Sequence, residues 1–337
     1  MQASAGGDRR LGVRRSKRDA PRMPHPLNTC RLQLPPGLLI ADPSRVVRRC
    51  LPDSPAASPP SALARHQRAA YLPWRESCRH GPIRVKTLAV IPARLGATRL
   101  PRKPLRLLAG VPIIVRVLER VAALRVADRI VVATDSDEIA LRVREAGGEA
   151  IMTSLDHASG SDRVAEVMRG AAFRGFGAIV NVQGDEPFIS GAAVRGALAQ
   201  VTDKKRPIGT AAARATPDVL LRADVVKVVT DDEGTAMYFS RAPVPFLRDE
   251  ADAVERNARV LHHVGLYVYT PESLAHWVSL PMHALERIER LEQLRPLAAG
   301  IRMGVAIVPG PVRAGIDTEA DLDRANHEWP TFTMNES

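Results

Sequence analysis

From Val85 onward, short apolar runs alternate with segments whose apolar residues recur at helical spacing. Short apolar runs are typical of strands buried on both faces, and the longer periodic segments are typical of amphipathic helices. Strands that alternate with helices form βαβ units, so we predict a mostly parallel sheet with helices on both faces. The predicted strands are Thr87–Pro92, Arg129–Thr134, Ala150–Met152 and Ala178–Val182, and the predicted helices are Ile113–Leu124, Ser136–Ala146 and Asp162–Phe173.

The pattern becomes looser after Pro187. It predicts a helix, two extended segments, a β-rich stretch, two helices, a strand and a short final helix after Asp317. Before that final helix, these elements cover Ala192–Val201, Ile208–Arg214, Val225–Val229, His262–Tyr269, Pro271–Ser279, Ala284–Ala298 and Arg302–Val308. The sequence therefore predicts one α/β domain over residues 85–330, with a small β-rich insertion.

Residues 1–84 differ from the remainder in charge and proline content. They hold 16 Lys and Arg against 5 Asp and Glu, with 12 of the 27 prolines, whereas residues 85–337 hold 32 charges of each sign. We interpret this segment as a basic, Pro/Arg-rich leader that is disordered or added by a misplaced start codon. An organellar transit peptide and a nucleic-acid-binding arm are the alternatives. Because the excess charge lies in the leader, the core is not expected to bind nucleic acid.

The sequence also indicates where the protein works. It has no apolar run near the roughly 18 to 20 residues needed to span a bilayer, and no signal-peptide pattern at its start. All three cysteines, Cys30, Cys50 and Cys78, lie in the leader without metal-ligand spacing. We therefore expect a cytoplasmic protein without membrane contact, and chemistry that uses no cysteine nucleophile.

The stretch VIPARLGATRLPRKPL follows the first predicted strand and carries Arg94, Arg99, Arg102 and Lys103. It matches neither the dinucleotide fingerprint GxGxxG nor the NTPase loop GxxxxGK[ST]. Ligands of parallel sheets bind beyond the carboxyl ends of the strands, and a cluster of cations there suits a phosphate chain. The sequence therefore predicts a triphosphate site, with a solvated basic turn as the alternative.

Two aspartates are candidates for a magnesium site at the same edge. Asp185 follows a buried strand in NVQGDEP, where Gly184 permits close backbone approach, and Asp317 precedes the final helix in AGIDTEADL. Asp135 follows another strand and should open onto the same crevice. Carboxylates can hold Mg²⁺ while phosphate oxygens complete its coordination. The alternative for Asp185 is a helix N-cap or a turn residue, and the alternative for Asp317 is helix capping.

Two further stretches contain candidate binding residues. HASGSDRVAEV places Ser159, Gly160, Ser161 and Arg163 at a helix start, where they could contact a base and ribose or simply cap the helix. In ALERIERLEQLRPLAAG, we assign an apolar stripe to the core, which leaves Glu292 and Gln293 off the stripe and free to bind, although solvent exposure is the usual fate of such residues. The stripe consists of Leu285, Ile288, Leu291 and Leu294.

Taken together, the motifs resemble those of the 3-deoxy-manno-octulosonate (Kdo) cytidylyltransferases, bacterial enzymes of lipopolysaccharide biosynthesis. The resemblance covers about residues 86 to 327 and rests on NVQGDEP, SGSDRVAEV, VVKVV, AMYFSRAPVPF, HHVGLYVY, LERIERLEQLR and GIDTEADL in this order. It implies a nucleotide-diphosphosugar-transferase-like, Rossmann-like mixed sheet and a homodimer. It also implies transfer of CMP from CTP to Kdo with Mg²⁺ and release of pyrophosphate.

The resemblance implies roles for individual residues. Arg94 and Lys103 would act in catalysis with Asp185 and Asp317, and these two aspartates would hold Mg²⁺. CTP would contact Arg94, Arg99, Lys103, Ser159, Gly160, Ser161 and Arg163, and the acidic sugar would contact Gln183, Arg241, His263, Tyr267, Glu292 and Gln293.

Three positions depart from the family pattern RxxSTRLPGKPL and RHxGxY: Ala97 replaces Ser, Arg102 replaces Gly, and His262 replaces Arg. Since His262 adjoins the expected sugar residue His263, this departure falls within the expected sugar pocket. The alternatives are a related acidic sugar, 8-amino-Kdo or sialate, or a non-enzymatic nucleic-acid binder built on the basic leader.

Overall fold

The alternating segments fold into a central mixed sheet with helices against both faces. The computed structural model describes residues 85–96 and 99–334. The predicted leader, residues 1–84, and Ala97 of the basic loop lie outside the described residues. Within them, the strands are β1 Thr87–Ala93, β2 Leu107–Leu108, β3 Val111–Pro112, β4 Arg129–Thr134, β5 Ala150–Met152, β6 Ala178–Val182, β7 Ile208–Arg214, β8 Lys227–Thr230, β9 Ala236–Ser240, β10 Leu261–Tyr269 and β11 Met303–Val308.

The helices follow the predicted order closely through the first half of the domain. Within the described residues they are α1 Ile113–Leu124, α2 Asp137–Glu145, α3 Gly160–Arg169, α4 Gly191–Thr202, α5 Ala253–Ala258, α6 Pro271–Ser279, α7 Ala284–Glu289, α8 Leu294–Ala298 and α9 Glu319–Glu328. None of the helices in this part of the chain is long and apolar enough to cross a membrane.

The sheet order is β11-β7-β10-β6-β1-β4-β5, with the small β8–β9 hairpin joined to it through β10. β1 pairs in parallel with β4 on one side and with β6 on the other, whereas β10 runs antiparallel to β6 and β7. The predicted α/β fold with a β-rich insertion is confirmed. Because β1, β4 and β6 are parallel, the loops that follow them emerge at one edge of the sheet.

Alternate side chains of β1 enter two different cores. Ala89 and Ile91 pack in the cluster that contains α1, α2 and α4, whereas Leu88 and Val90 pack in the cluster that contains α3 and α6. All four side chains are fully buried. Burying a Leu, Ile or Val side chain contributes about 1.5–3 kcal/mol, so two-sided burial makes β1 a well-fixed platform for the loop after it.

The predicted helix over residues 284–298 is wrong as a single element. Arg290 adopts the left-handed conformation, with φ of 55°, and separates α7 from α8. Glu286 and Arg295 form a buried ion pair of 2.6 Å across this break. Nine residues of continuous helix would separate the two by about 13 Å along the axis, so the pair requires the break. The same break leaves Ile288, predicted to lie in the core, 73% exposed.

Four further elements were missed by the sequence pattern: the two-residue strands β2 and β3, the strand β9 and the helix α5. β9 lies in the motif AMYFSRAPVPF, where Met237 is exposed and Phe239 is buried, and the short helix α5 has no buried residue. The sequence AMYFS lacks the apolar–polar alternation typical of a strand with one buried face, and a wholly exposed helix has no apolar stripe. Helix α3 ends at Arg169, and a separate 3₁₀ turn follows at Ala171–Phe173, rather than one helix through to Phe173.

Candidate active site

A cavity of about 360 Å³ opens at the edge of the sheet where β1 and β6 end. The basic loop forms one wall, the start of α3 forms another, and the loop after β6 and Asp317 close the remainder. Its lining residues are Pro92, Ala93, Arg94, Gly96, Arg99, Leu100, Lys103, Pro104, His157, Ser159, Gly160, Arg163, Gln183, Gly184, Asp185 and Asp317.

Three of the four cations in the basic loop line this cavity. Arg94 is exposed there, and Arg99 is 68% exposed and donates a hydrogen bond to Asp317 at 3.1 Å. Arg102 instead points to α2, where it pairs with Glu138. Its φ of 57° lies in the left-handed region, which explains why the family pattern has glycine at this position.

Lys103 lies between the two predicted metal ligands. Its ammonium Nζ is 2.5 Å from Asp185 Oδ2 and 2.9 Å from Asp317 Oδ1, and its side chain is only 16% exposed. Burial alone would lower the pKa of Lys103, but the two carboxylates outweigh burial and raise it above its usual value. Lys103 is therefore charged over the physiological pH range and cross-links two loops that are far apart in the chain.

Backbone contacts bring the two aspartates to the same place. A Cβ at Gly184 would lie 2.7 Å from the Pro92 carbonyl oxygen, so only glycine permits this approach of the loop after β6 to β1. The Ile316 amide donates to the Asp185 carbonyl at 3.0 Å and ties the segment before α9 to the same loop. Asp185 and Asp317 are therefore neighbours although 132 positions separate them in the sequence.

Neither aspartate is a helix cap. Ser190 caps α4 and Thr318 caps α9, the latter in a capping box with Asp321. The Asp317 amide donates to Asp321, while the Asp317 carboxylate turns toward Lys103 and Arg99. The capping alternative for Asp185 and Asp317 is therefore wrong. Asp185 does lie in a turn, and both carboxylates face the cavity.

The donor set fits a magnesium ion. Two carboxylates already share one cation, the Lys103 ammonium, so an ion between them would be within reach of oxygen atoms from both. Among residues 85–96 and 99–334 there is no group of three or more His, Cys, Asp or Glu side chains placed to hold a metal. An ion at this pair would take its other ligands from water or substrate, as Mg²⁺ usually does.

Glu186 lies behind the aspartate pair and lines a second cavity of about 250 Å³ on the far side of the loop. Burial, with the negative charges of Asp185 and Asp317, raises the pKa of Glu186 well above its usual range, although Lys103 opposes the shift. A Cβ at Gly315 would lie 2.8 Å from Glu186 Oε1, so this side chain packs closely against the segment that carries Asp317.

The start of α3 forms the side of the cavity predicted to hold a nucleoside. Ser159 caps α3 in a capping box with Asp162, so the capping interpretation holds for this residue, and it also lines the cavity. Arg163 is 3% exposed and donates to Thr153 and, at 2.7 Å, to Asp135. Asp135 was predicted to open onto the cavity but does not line it. Its carboxylate instead accepts the hydrogen bond from Arg163.

His157 is not among the predicted site residues, yet it lines the cavity beside Ser159. Its Nε2 pairs with Glu166, which lies in α3 and also accepts a hydrogen bond of 2.9 Å from the Ser154 amide. Burial would raise the pKa of Glu166, but the hydrogen bonds from His157 and Ser154 outweigh it and lower the pKa. The sequence feature that could have identified His157 is its place in a strand-to-helix loop, two positions before the capping residue Ser159.

Ser161 does not reach the cavity. It is fully buried, and its hydroxyl lies 3.1 Å from Tyr269 Oη and donates to Glu292 Oε1 at 3.2 Å. Asn181 donates to Tyr269 Oη at 3.3 Å and accepts from the cavity residue Gln183 at 3.5 Å. A chain of hydrogen bonds therefore runs under the cavity floor from Gln183 to Glu292.

Glu292 ends this chain with an incomplete set of partners. Its Oε2 is buried and has no hydrogen-bond partner within the described residues. Burial raises the pKa of Glu292 to about 7, although the Ser161 hydroxyl opposes the shift. An unpaired buried carboxyl oxygen costs roughly 1–3 kcal/mol, a cost that a hydroxyl of a bound ligand would remove.

The remaining predicted sugar residues lie away from the cavity lining. Arg241 donates to the carbonyls of Glu289 and Ala223, each at 2.9 Å. His263 is buried, lies 2.9 Å from Thr210 Oγ1 and has a pKa lowered by burial to about 3, so it carries no charge for a sugar carboxylate.

Tyr267 and Gln293 are buried as well. Tyr267 is 4% exposed, and its ring packs against those of Trp277 and Tyr269 at centroid distances of 5.4 and 6.1 Å. Gln293 is 3% exposed, next to Glu292 and directly before α8. Of the six predicted sugar residues, only Gln183 lines the described cavity, so the others remain predictions.

A sequence profile described as "Cytidylyltransferase" matches residues 88–303, which include β1, the basic loop, the start of α3 and the loop after β6. The chain belongs to the cytidylyltransferase family. The 3-deoxy-manno-octulosonate cytidylyltransferase of Gemmatimonas aurantiaca is 57% identical over 242 residues, which cover 72% of this chain and 93% of that protein. The enzyme of the same name from Geobacter sulfurreducens is 45% identical over 244 residues, covering 70% and 96%.

Solved structures agree with these sequence relatives. The structure of CMP:2-keto-3-deoxy-manno-octonic acid synthetase complexed with CTP is 38% identical, has a TM-score of 0.67, and covers 73% of this chain and 99% of its own. A 4-diphosphocytidyl-2C-methyl-D-erythritol synthase from Anaerococcus prevotii, at 15% identity and a TM-score of 0.50 over 73% of this chain and 99% of its own, shares the fold. The predicted resemblance to the 3-deoxy-manno-octulosonate cytidylyltransferases is confirmed.

Proposed function

We propose that this protein transfers CMP from CTP to the anomeric hydroxyl of Kdo and releases pyrophosphate. The observation that carries the proposal is the cavity at the ends of β1 and β6, where Arg94, Arg99 and Lys103 face Asp185 and Asp317. Such an arrangement suits a triphosphate with a divalent cation. The identities of the nucleotide and the sugar are inferred from the family and its named relatives.

The reaction needs positioning and charge neutralisation rather than a protein nucleophile. The hydroxyl oxygen of the sugar bonds to the α-phosphorus, the bond from that phosphorus to the pyrophosphate oxygen breaks, and the hydroxyl proton is lost. Negative charge develops on the departing pyrophosphate. Cations held in fixed positions stabilise that charge most effectively where water is limited.

Three cations of the basic loop serve this purpose. Arg94 and Arg99 are exposed in the cavity and would contact the β- and γ-phosphate oxygens, with Arg99 exchanging its hydrogen bond to Asp317 for phosphate. Lys103 is the most buried of the three and pairs with both aspartates, so it would act next to a metal ion that they hold. The opposite wall, with Ser159, Gly160 and the capped start of α3, would hold the nucleoside.

Asp185 and Asp317 would hold Mg²⁺, and a second ion would bind with the triphosphate rather than to protein side chains. The bound metal would neutralise phosphate charge and help to deprotonate or orient the sugar hydroxyl. The protein holds the two carboxylates together in two ways. Gly184 lets the loop after β6 lie close to β1, and the Ile316 amide donates a hydrogen bond to the Asp185 carbonyl.

The sugar site would lie beyond Gln183, on the Glu292 side of the hydrogen-bond chain. The unpaired Glu292 Oε2 supports this placement, because a hydroxylated ligand would supply its missing donor. Since His263 is uncharged, Arg241 would supply the positive charge that pairs with a sugar carboxylate. To do so, Arg241 would have to give up its hydrogen bond to the Glu289 carbonyl.

The test is pyrophosphate release by the full chain with CTP, Mg²⁺ and each of three sugars: Kdo, 8-amino-Kdo and sialate. We expect Kdo to give the highest kcat/KM, with CMP-Kdo identified by phosphorus NMR. Faster turnover of 8-amino-Kdo or sialate would replace the proposed sugar, and no pyrophosphate with any of the three would refute the activity. Deleting residues 1–84 should leave the rate unchanged, whereas a nucleic-acid binder would lose its salt-sensitive binding.

The same proposal includes the setting of the enzyme. It would act as a homodimer in the cytoplasm and supply activated sugar for lipopolysaccharide. Analytical ultracentrifugation tests the dimer, and fractionation of the source cells tests the compartment.

A further inference from the structure

The inference concerns Lys103 and rests on the proposed function, in particular on the metal role of Asp185 and Asp317. Without nucleotide, the Lys103 ammonium lies within hydrogen-bonding distance of both carboxylates, 2.5 Å from Asp185 and 2.9 Å from Asp317. Arg99 adds a second cation to Asp317 at 3.1 Å. The carboxylates are therefore already neutralised by the protein's own cations.

This arrangement disfavours a free divalent ion. To bind, the ion has to lose part of its hydration shell and displace an ammonium that holds charge-assisted hydrogen bonds to both carboxylates. Moving the ammonium without a new partner would leave a lysine that is only 16% exposed beside a divalent cation. Both changes raise the free energy of metal binding to the nucleotide-free enzyme.

A triphosphate changes this balance because it offers Lys103 new partners. Lys103 is on the same cavity wall as Arg94 and Arg99, the predicted phosphate ligands. Its backbone is fixed at the start of a 3₁₀ turn, where its amide donates to the Leu100 carbonyl at 3.1 Å, while the four-carbon side chain can rotate. The ammonium can therefore move from carboxylate to phosphate without rearranging the loop.

We propose that Lys103 acts as a replaceable counter-ion that keeps Asp185 and Asp317 closed to free divalent ions until CTP draws its ammonium away. Metal and nucleotide then bind together, and each strengthens the binding of the other by the same factor. Lys103 thereby makes the nucleotide a condition for metal binding, in addition to its contact with phosphate.

The experiment measures binding of Mn²⁺, an EPR-visible substitute for Mg²⁺, to the nucleotide-free full chain. Lys103→Met removes the ammonium and keeps a side chain of similar length. We expect it to bind Mn²⁺ at least about tenfold more tightly than wild type, as expected when a competing cation is removed. Lys103→Arg keeps a cation and should show no gain.

Two further variants locate the effect. Arg102→Gly removes a positive charge at the adjoining position, but Arg102 pairs with Glu138 and not with the aspartates, so its Mn²⁺ affinity should match wild type. The double variant Lys103→Met with Asp185→Asn should lose the gain of the single variant. Melting temperatures confirm that each protein is folded, and Lys103→Gln replaces Lys103→Met if the latter is unstable.

The outcomes separate the two proposals. If Lys103→Met binds Mn²⁺ no more tightly than wild type, while Asp185→Asn still weakens Mn²⁺ binding in the presence of CTP, the metal site stands and the counter-ion role of Lys103 is refuted. An equal gain in Arg102→Gly would also refute it, since general charge would then be the cause. If Asp185→Asn changes Mn²⁺ binding in neither state, the metal assignment itself fails.

Discussion

The two sides of the site handle polar groups in opposite ways. On the basic-loop side, Lys103 and the two aspartates are charged and partly exposed, and they neutralise one another across the cavity. On the Glu292 side, Ser161, Tyr269 and His263 are buried and form hydrogen bonds between uncharged groups.

Burial and the charges next to each group together account for this difference. Burial lowers the pKa of His263 and raises that of Glu292, which favours the neutral form of each. Lys103 is also largely buried, yet the adjacent carboxylates raise its pKa and keep it charged. The charged side suits a polyphosphate with a metal ion, and the neutral side suits hydroxyl groups of a sugar.

The largest effect should come from breaking the charged side at Asp185. Asp185→Asn removes one of the two proposed metal ligands and one partner of Lys103 while nearly preserving the volume of the side chain. We expect kcat to fall by about a thousandfold or more, with the melting temperature nearly unchanged, because the lost charge stabilises the transition state rather than the fold. Pyrophosphate release measures the rate; near-normal turnover would remove Asp185 from the metal site.

The neutral side should respond to pH through Glu292. Its pKa is raised, so the stability that the protonated group contributes is fully present below about pH 4.5 and is lost as pH rises through about 7. Glu292→Gln keeps the neutral form at all pH values. At pH 8 we expect it to raise the free energy of unfolding by about 1–3 kcal/mol over wild type, with no gain near pH 4.

Urea unfolding at several pH values measures this difference. The matched control is Glu145→Gln, a change at an exposed carboxylate that pairs with Arg142 at the end of α2. Its effect on stability should not vary with pH in the same way. A Glu292→Gln protein that is no more stable than wild type at pH 8 would show that Glu292 is not held in its neutral form.

A smaller effect is expected at Arg99, the exposed cation of the charged side. Arg99→Ala should raise the dissociation constant for CTP by about tenfold, the order of one charge-assisted contact to phosphate, with little change in kcat. Isothermal titration with CTP and Mg²⁺ measures the affinity. Unchanged affinity would mean that Arg99 contacts Asp317 and does not contact the nucleotide.

The smallest effect should come from Arg102, which lies on the charged side but outside the cavity. Arg102→Gly relieves the left-handed backbone of an Arg and loses an exposed ion pair with Glu138, two changes of opposite sign. We expect the free energy of unfolding to change by less than about 1 kcal/mol and kcat/KM to be retained. A large loss of activity would mean that the Glu138 contact positions the basic loop.

The strands and the charged side could be predicted from sequence because both depend on local signals. Buried parallel strands are short apolar runs, and the residues that follow them share one edge of the sheet whatever the loops do. That rule alone predicts that Arg94, Lys103 and Asp185 lie close together. Asp317 needed the family resemblance, because its position directly before Thr318 is equally typical of a cap.

Tertiary contacts account for most of what the sequence did not reveal. The break at Arg290 accompanies the long-range Glu286–Arg295 pair, whereas the local pattern of apolar residues there is that of a continuous helix. Asp135 satisfies the edge-of-sheet rule, yet it is held by Arg163 from another element. For His263, sequence gives the residue type and its possible charge, whereas only the fold shows the burial that removes that charge.

The Ile316 to Asp185 hydrogen bond has a consequence for how the enzyme is made. During translation, a nascent chain that has emerged as far as Asp185 carries the whole basic loop and the first of the two aspartates, but lacks Asp317. The pair can form only after Asp317, 132 positions later, has left the ribosome. Termination of translation before Asp317 would therefore yield a chain that contains β1 to β11 but cannot form the aspartate pair.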